Sequence, residues 1–254
     1  VRNGGGVGGS VSRVALVTGA ARGIGAATVR RLAGDGWSVV AVDRAADDPR
    51  LPYRLGSEAE LRALAAGASD RIRGVIADVT DEAALAAAVE LAEREFGGLD
   101  AALGVAGVVA GGSPLWEMPR AELDAVLDVD LGGVVTLARV AAVASAAATR
   151  GLPMLAAYCA AKAGVTGLVR ALAVELGGTG VTANAVSPGS TDTPILAESA
   201  RLYGLPGPAA FAGQQPVGRL LEPDEIADVL AWLSGEGSSA LTGAVVAADG
   251  GLAL

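Results

Sequence analysis

The chain has 254 residues, room for one large domain or two small ones, and 52% hydrophobic against 19% charged residues exclude a disordered chain. A net charge of −9 has the wrong sign for a nucleic-acid partner, and the lack of histidine removes His-based triads and most zinc sites, so no metal is expected. One cysteine, Cys159, cannot form an internal disulfide and fits a reducing, cytoplasmic compartment; apolar runs broken well short of ~18 residues predict no membrane span.

In chain order, the Gly-rich residues 1–12 predict a flexible tail ahead of one domain over 13–254. Val14-Ala15-Leu16-Val17 reads as a strand, followed by a glycine turn and a helix over 23–33; 38–42 reads as a second strand. Residues 44–70 form a long polar connection with a short helix near 57–66, a length that signals an insertion with a purpose or a loose surface segment. A third strand ends over 75–77, and Thr80 is expected to cap a helix running to about Phe96. Strands follow at 101–105, 141–144 and 181–186, with a long helix over 158–176 between the last two. Pro223 opens a further helix at a first-turn position, and 244–247 is the final strand. Strands alternating with helices predict an α/β domain with one doubly wound parallel sheet and helices on both faces.

The first chemical signal is Thr18-Gly19-Ala20-Ala21-Arg22-Gly23-Ile24-Gly25, directly after a strand and before a helix. Glycines there let backbone approach a pyrophosphate while the helix N-terminus offers N–H groups; tight strand–helix turns also use glycine, and it is the context that raises the signal. Asp43 ends the second strand eighteen positions after Gly25. A carboxylate there accepts ribose hydroxyls and repels a 2′-phosphate, which favours NAD over NADP, with the adjacent Arg44 acting against that preference.

The strongest signal is Tyr158-Cys159-Ala160-Ala161-Lys162. Positions i and i+4 share a helix face, so a phenol and an ammonium meet, and a nearby cation favours the phenolate needed for acid/base work. An ordinary surface pair has the same spacing, but Lys162 is the sole lysine in an arginine-biased chain. Ser145, thirteen positions before Tyr158, ends a strand and could hold a substrate oxygen, or simply serve a turn. Pro188-Gly189-Ser190-Thr191-Asp192-Thr193 follows another strand as a Pro-Gly turn able to close over a cofactor.

Together these motifs resemble the short-chain dehydrogenase/reductase family over nearly the whole chain from Arg13. The resemblance implies a Rossmann fold with Ser145, Tyr158 and Lys162 as catalytic residues. The implied cofactor-binding set is Gly19, Arg22, Gly23, Ile24, Gly25, Asp43, Asp78, Val79, Ala106, Gly107, Tyr158, Lys162, Pro188, Gly189, Thr191 and Thr193. The family's active-site Asn falls on Asp130, which can accept a hydrogen bond but has no N–H₂ donor. The insertion containing Leu51-Pro52-Tyr53-Arg54-Leu55 and Glu60-Leu61 resembles that of mycofactocin-associated members, which implies a tightly held nicotinamide and a peptide-derived redox partner. The family also implies self-association, expected as a homotetramer, for which the small-residue face Ala163, Gly167, Ala171 suits close helix packing.

Three functions compete. The first is an NAD(H)-dependent alcohol dehydrogenase or ketoreductase for a hydrophobic secondary alcohol or ketone. The second is an NAD-binding relative acting as sensor or scaffold, and the third a nucleotide-fold methyltransferase, which the Tyr–Lys helix disfavours. An apolar lid over 194–216, with Ile195, Leu196, Leu202, Tyr203, Leu205 and Phe211 shaped by Pro206 and Pro208, points to an apolar substrate, and Trp116 and Met154 are expected to extend its wall. Only fourteen residues, 131–144, are available for a helix, a turn and a strand, and 139–143 has no turn-forming residue. That shortage predicts residues lost near 140–142, seen as Cα spacing wider than about 3.8 Å, or else a true deletion that leaves a stunted helix.

Overall fold

The computed structural model describes residues 12–140, 143–146 and 152–254, with side chains except at 139, 140 and 143–146. Seven parallel strands form one sheet in the order β3-β2-β1-β4-β5-β6-β7. They are β1 (Val14–Thr18), β2 (Ser38–Asp43), β3 (Ile72–Ile76), β4 (Ala101–Gly104), β5 (Val143–Ala146), β6 (Ala185–Pro188) and β7 (Val245–Ala248). The helices are α1 (Gly23–Gly34), α2 (Glu58–Ala66), α3 (Glu82–Phe96), α4 (Arg120–Leu127), α5 (Gly133–Val140), α6 (Ala156–Glu175), α7 (Pro194–Leu202) and α8 (Pro223–Leu233). The chain runs outward from β1 to β3, then returns to place β4 on β1's other side. Between those two strands lies the crevice in which such sheets take ligands.

Strand β1 is buried along its whole length, as a central parallel strand must be. Its alternation splits the core: Ala15 and Val17 pack with Val29, Leu32 and Ile226 beneath α1 and α8, while Val14 and Leu16 pack with Leu85, Leu137, Val165 and Val169 beneath α3, α5 and α6. Each such Val or Leu contributes about 1.5–3 kcal/mol on burial. Helix α6 is the one described helix long and apolar enough to cross a membrane, a match that the broken apolar runs did not suggest; here Ala157, Ala161, Val165 and Val169 form its buried face in the core.

Several boundaries differ from expectation. Asp81, not Thr80, caps α3, its side chain accepting from Ala84 N–H, because Thr80 is drawn into a turn by donating to Asp78 Oδ1. The strand expected at 181–186 is β6, Ala185–Pro188: Asn184 bonds Leu241 O and Ala244 N–H with its side chain. Ser12, expected in the tail, donates to Gly36 O; the rest of the expected tail, 1–11, lies outside the described residues.

The insertion after β2 is folded. Asp48 is buried between Arg44 and Arg50, Arg50 reaches Asp128 at 2.7 Å, and Leu51 enters an apolar cluster with Val79, Val108 and Val129. Ser57 and Glu60 close a reciprocal cap on α2. The helix expected to begin near Leu131 is instead the end of a helical run from Arg120 to Val140, in which a π-helical turn, Asp128–Gly132, joins α4 to α5 with helical backbone on either side. The run gains its length on the N-terminal side, so residues 131–144 still hold all of α5 and the start of β5, and the junction at 141–142, where a gap was expected, lies outside the described residues.

Candidate active site

At the end of β1 the chain turns through Gly19 at φ +67° and Gly23 at φ +57°, the left-handed region that favours glycine. A Cβ on Gly19 would stand 2.6 Å from Ala106 Cα, and one on Gly25 would stand 2.0 Å from Gly19 O. Arg22, the N-cap of α1, makes no side-chain cap, and the first turn carries no acid. The first-turn N–H groups and the dipole thus face the crevice ready for an anion.

Asp43, at the end of β2, accepts Ala21 N–H at Oδ2 and Ala45 N–H at Oδ1, both at 2.9 Å, so its carboxylate is fixed against the glycine turn. Arg44, which also lines the cleft, pairs with Asp48 at 2.8 Å and with Asp78 at 3.4 Å. Across the crevice, Ser190 and Gln215 pair reciprocally: Ser190 N–H donates to Gln215 Oε1, and Gln215 Nε2 donates to Ser190 O. A Cβ on Gly189 would lie 2.3 Å from Gln215 Oε1. Thr193 caps α7 by accepting from Leu196 N–H and lies against Gly23 from the other side.

All of the sequence-derived cofactor residues line one cleft of about 340 Å³, as do Asp130, Tyr158 and Lys162. That volume is at the lower end for small-molecule sites. Ser145 sits in β5 in register with Gly104 and Ala185, and its side chain is outside the described ones. Ile195, Leu196, Tyr203 and Phe211 form the expected apolar wall with Leu155. Leu202 and Leu205 do not line it, nor do Trp116 and Met154: Trp116 is 84% exposed on a 3₁₀ turn and Met154 points outward from a left-handed backbone at φ +58°. Sequence reasoning missed Gly56, Gln215 and the backbone-binding Tyr53, whose hydroxyl accepts from Val109 N–H. Contacts across distant loops left no local pattern to find them by.

Lys162 Nζ lies 5.3 Å from the centre of the Tyr158 ring. It also lies 2.8 Å from Oδ2 of Asp130, which is fully buried and accepts Val108 N–H at Oδ1. The Oδ2 contact is an ion pair rather than an aligned hydrogen bond. Burial pushes the Asp130 carboxyl up against the pull of Lys162. Burial pushes the Lys162 ammonium down, but Asp130 and then Tyr158 more than offset it, and the net direction is up. Burial also raises Tyr158; Lys162 lowers it, and Asp130 opposes Lys162.

A glycine-turn crevice beside a Tyr–Lys pair defines a nucleotide-binding Rossmann oxidoreductase. The family described as Enoyl-(Acyl carrier protein) reductase matches residues 19–253. A cis-4-hydroxycyclohexanecarboxylate dehydrogenase of Sinomonas cyclohexanicum is 40% identical, covering 94% of this chain and 96% of that one. The carveol dehydrogenase of Mycobacterium avium, solved with NAD, superposes with a TM-score of 0.89 at 28% identity, covering 96% and 98%. A short chain dehydrogenase of Mycobacterium paratuberculosis bound to NAD gives 0.82 at 28%, covering 96% and 99%. The chain belongs to the short-chain dehydrogenase/reductase family. It is an NAD-dependent alcohol dehydrogenase or ketoreductase.

Proposed function

We propose that the protein interconverts hydrophobic secondary alcohols, alicyclic ones foremost, and their ketones, with Ser145, Tyr158 and Lys162 as the reacting set. The single observation that carries this reading is the Tyr158–Lys162 pair in the same cleft as the glycine turn. Two relatives named for cyclic alcohols support the ring preference.

The cleft fits NAD. Gly19 and Gly25 leave room where a Cβ would clash, the α1 N-terminus faces the pyrophosphate position, and Asp43 stands where the ribose hydroxyls need an acceptor. Gly19, Arg22, Gly23, Ile24 and Gly25 would hold the phosphates, Asp78 and Val79 the adenine, and Ala106, Gly107, Pro188, Gly189, Thr191 and Thr193 the nicotinamide half. When bound, NAD supplies the two-electron acceptor for the carbinol carbon. Tyr158 Oη takes the hydroxyl proton during oxidation and returns it during reduction. Lys162 favours the phenolate and orients the ribose, while Ser145 holds the substrate oxygen. Ile195, Leu196 and Phe211 exclude water from the reacting face.

We also propose that nicotinamide is held tightly and exchanges electrons with a mycofactocin-type partner, a reading that the insertion's contacts with the glycine turn support. Arg22 Nη2 donates to Arg54 O at 2.6 Å, and Gly56 lies against Ala21 and Asp43. We further propose a homotetramer in the cytoplasm, the location resting on the single cysteine. NADH formation from NAD and a panel of alicyclic and linear secondary alcohols tests the function. Turnover favouring ring alcohols is expected. NAD binding without turnover of any alcohol, even when an artificial electron acceptor is supplied to reoxidise retained cofactor, would overturn it.

A further inference from the structure

Asp130 stands where an uncharged side chain would serve Lys162 as well for position and differently for charge. Its Oδ1 is committed to Val108 N–H at 2.7 Å, and its Oδ2 is 2.8 Å from Nζ. Gly107 closes over both: a Cβ there would lie 3.4 Å from Nζ and 3.5 Å from Oδ2. The π-helical turn that carries Asp130 widens the helix by one residue, a distortion that recurs at functional sites. Asp130 is wholly buried, so solvent screens the pair little.

We infer that Asp130 is a positioning residue that fixes the Lys162 ammonium and cancels its charge at Tyr158, so that the acid/base unit works at more alkaline pH than the same Tyr–Lys pair beside a neutral side chain. The inference rests on the proposed role of Tyr158 as acid/base. Ionised Lys162 and ionised Asp130 sum to zero beside the phenol; removing the carboxylate leaves the ammonium acting alone, which favours the phenolate.

The surrounding charges do not supply a substitute. On the same π turn Asp128 pairs with Arg50 of the insertion, and on α7 Glu198 pairs with Arg201. Tyr53 of the insertion faces Asp130 as a neutral phenol raised by burial, and Arg22 is bonded to Arg54 O. On α6, Cys159 acts on Tyr158 in the same direction as Asp130.

The test is phenolate absorbance of cofactor-free protein against pH for the parent, Asp130→Asn and Asp130→Ser, each subtracted from its Tyr158→Phe counterpart to isolate one of three tyrosines. The Tyr158 transition should fall by about one to three pH units in both variants, the range for a single nearby charge. The pH midpoint of kcat/KM for alcohol oxidation should fall in parallel. Asp130→Ser keeps an acceptor for Val108 N–H and keeps the test decisive where Asp130→Asn does not fold. An unchanged or raised Tyr158 transition would show that Asp130 does not cancel the lysine charge, and would overturn the inference. Absorbance that shifts in a protein with no alcohol turnover would instead sink the proposed function and leave the charge relation standing.

Discussion

Tyr158→Phe keeps the ring and removes the hydroxyl that carries the proton, so NAD binding should persist while turnover falls by about 10²–10⁴, the usual contribution of a positioned acid/base. A fall of less than about tenfold would move the acid/base role elsewhere. Lys162→Arg should fail as well, because a planar fork cannot replace a compact ammonium wedged between a tyrosine ring and Asp130. Asp43→Ala should erode the preference for NAD, since the fixed carboxylate repels a 2′-phosphate and Arg44 is already held by Asp48 and Asp78. Relative affinities for NAD and NADP measure this, and an unchanged ratio would clear Asp43 of the role. These positions were legible because their spacing is local: four residues along one helix, or a strand end after a glycine turn. Gln215 was not, because its partner Ser190 is twenty-five residues away and a glutamine in a Gln-Gln-Pro stretch announces no partner.

The insertion between β2 and α2 hangs on Asp48. Hydrogen bonds from Arg50, then from Arg44, hold its carboxyl well below the usual carboxylate range against the opposing effect of burial. A carboxyl lowered on folding contributes stability that is present above its unfolded value near about 3.9 and is lost as pH falls through the folded value. The Asp48 ion pairs that hold the insertion are therefore fully in place at neutral pH and are lost only well into the acid range. Asp48→Asn removes the charge at every pH, so dissociation of bound NADH, followed by stopped-flow fluorescence, should be faster than in the parent at neutral pH. Equal rates would separate the insertion from cofactor retention. The sequence announced the α2 cap, Ser57 with Glu60, but not that Leu51 and Tyr53 pack with Val79, Val108 and Val129, residues behind and along the cleft, which depends on long-range packing. The helical run through Asp130 was likewise hidden: a π turn shifts the apolar period midway, so only its second half read as a helix.

Across the whole molecule, the alternation of strand and helix was enough to read a doubly wound sheet, because each parallel crossover needs a helix and the central strands β1 and β2, buried on both faces, are written as Val-rich runs. What that alternation leaves open is which outer face meets another copy. Helix α6 buries Ala157, Ala161, Val165 and Val169, while Ala163, Gly167 and Ala171 lie exposed on its outer side, with Val174 81% exposed beyond them. A Cβ on Gly167 would touch nothing, so a larger side chain there costs the single chain only its helix propensity, which for leaving glycine is favourable. A helix from a second copy could pack at the 8–10 Å interaxial distance such small residues permit. Gly167→Arg should therefore leave the isolated subunit folded while breaking the proposed tetramer, because a guanidinium placed in that seam would be buried without a partner. Light scattering after size exclusion should give a smaller mass for the variant, with NAD still bound through the glycine turn on the far side of the sheet from the seam. A variant that kept the parent's mass would exclude this face as the interface.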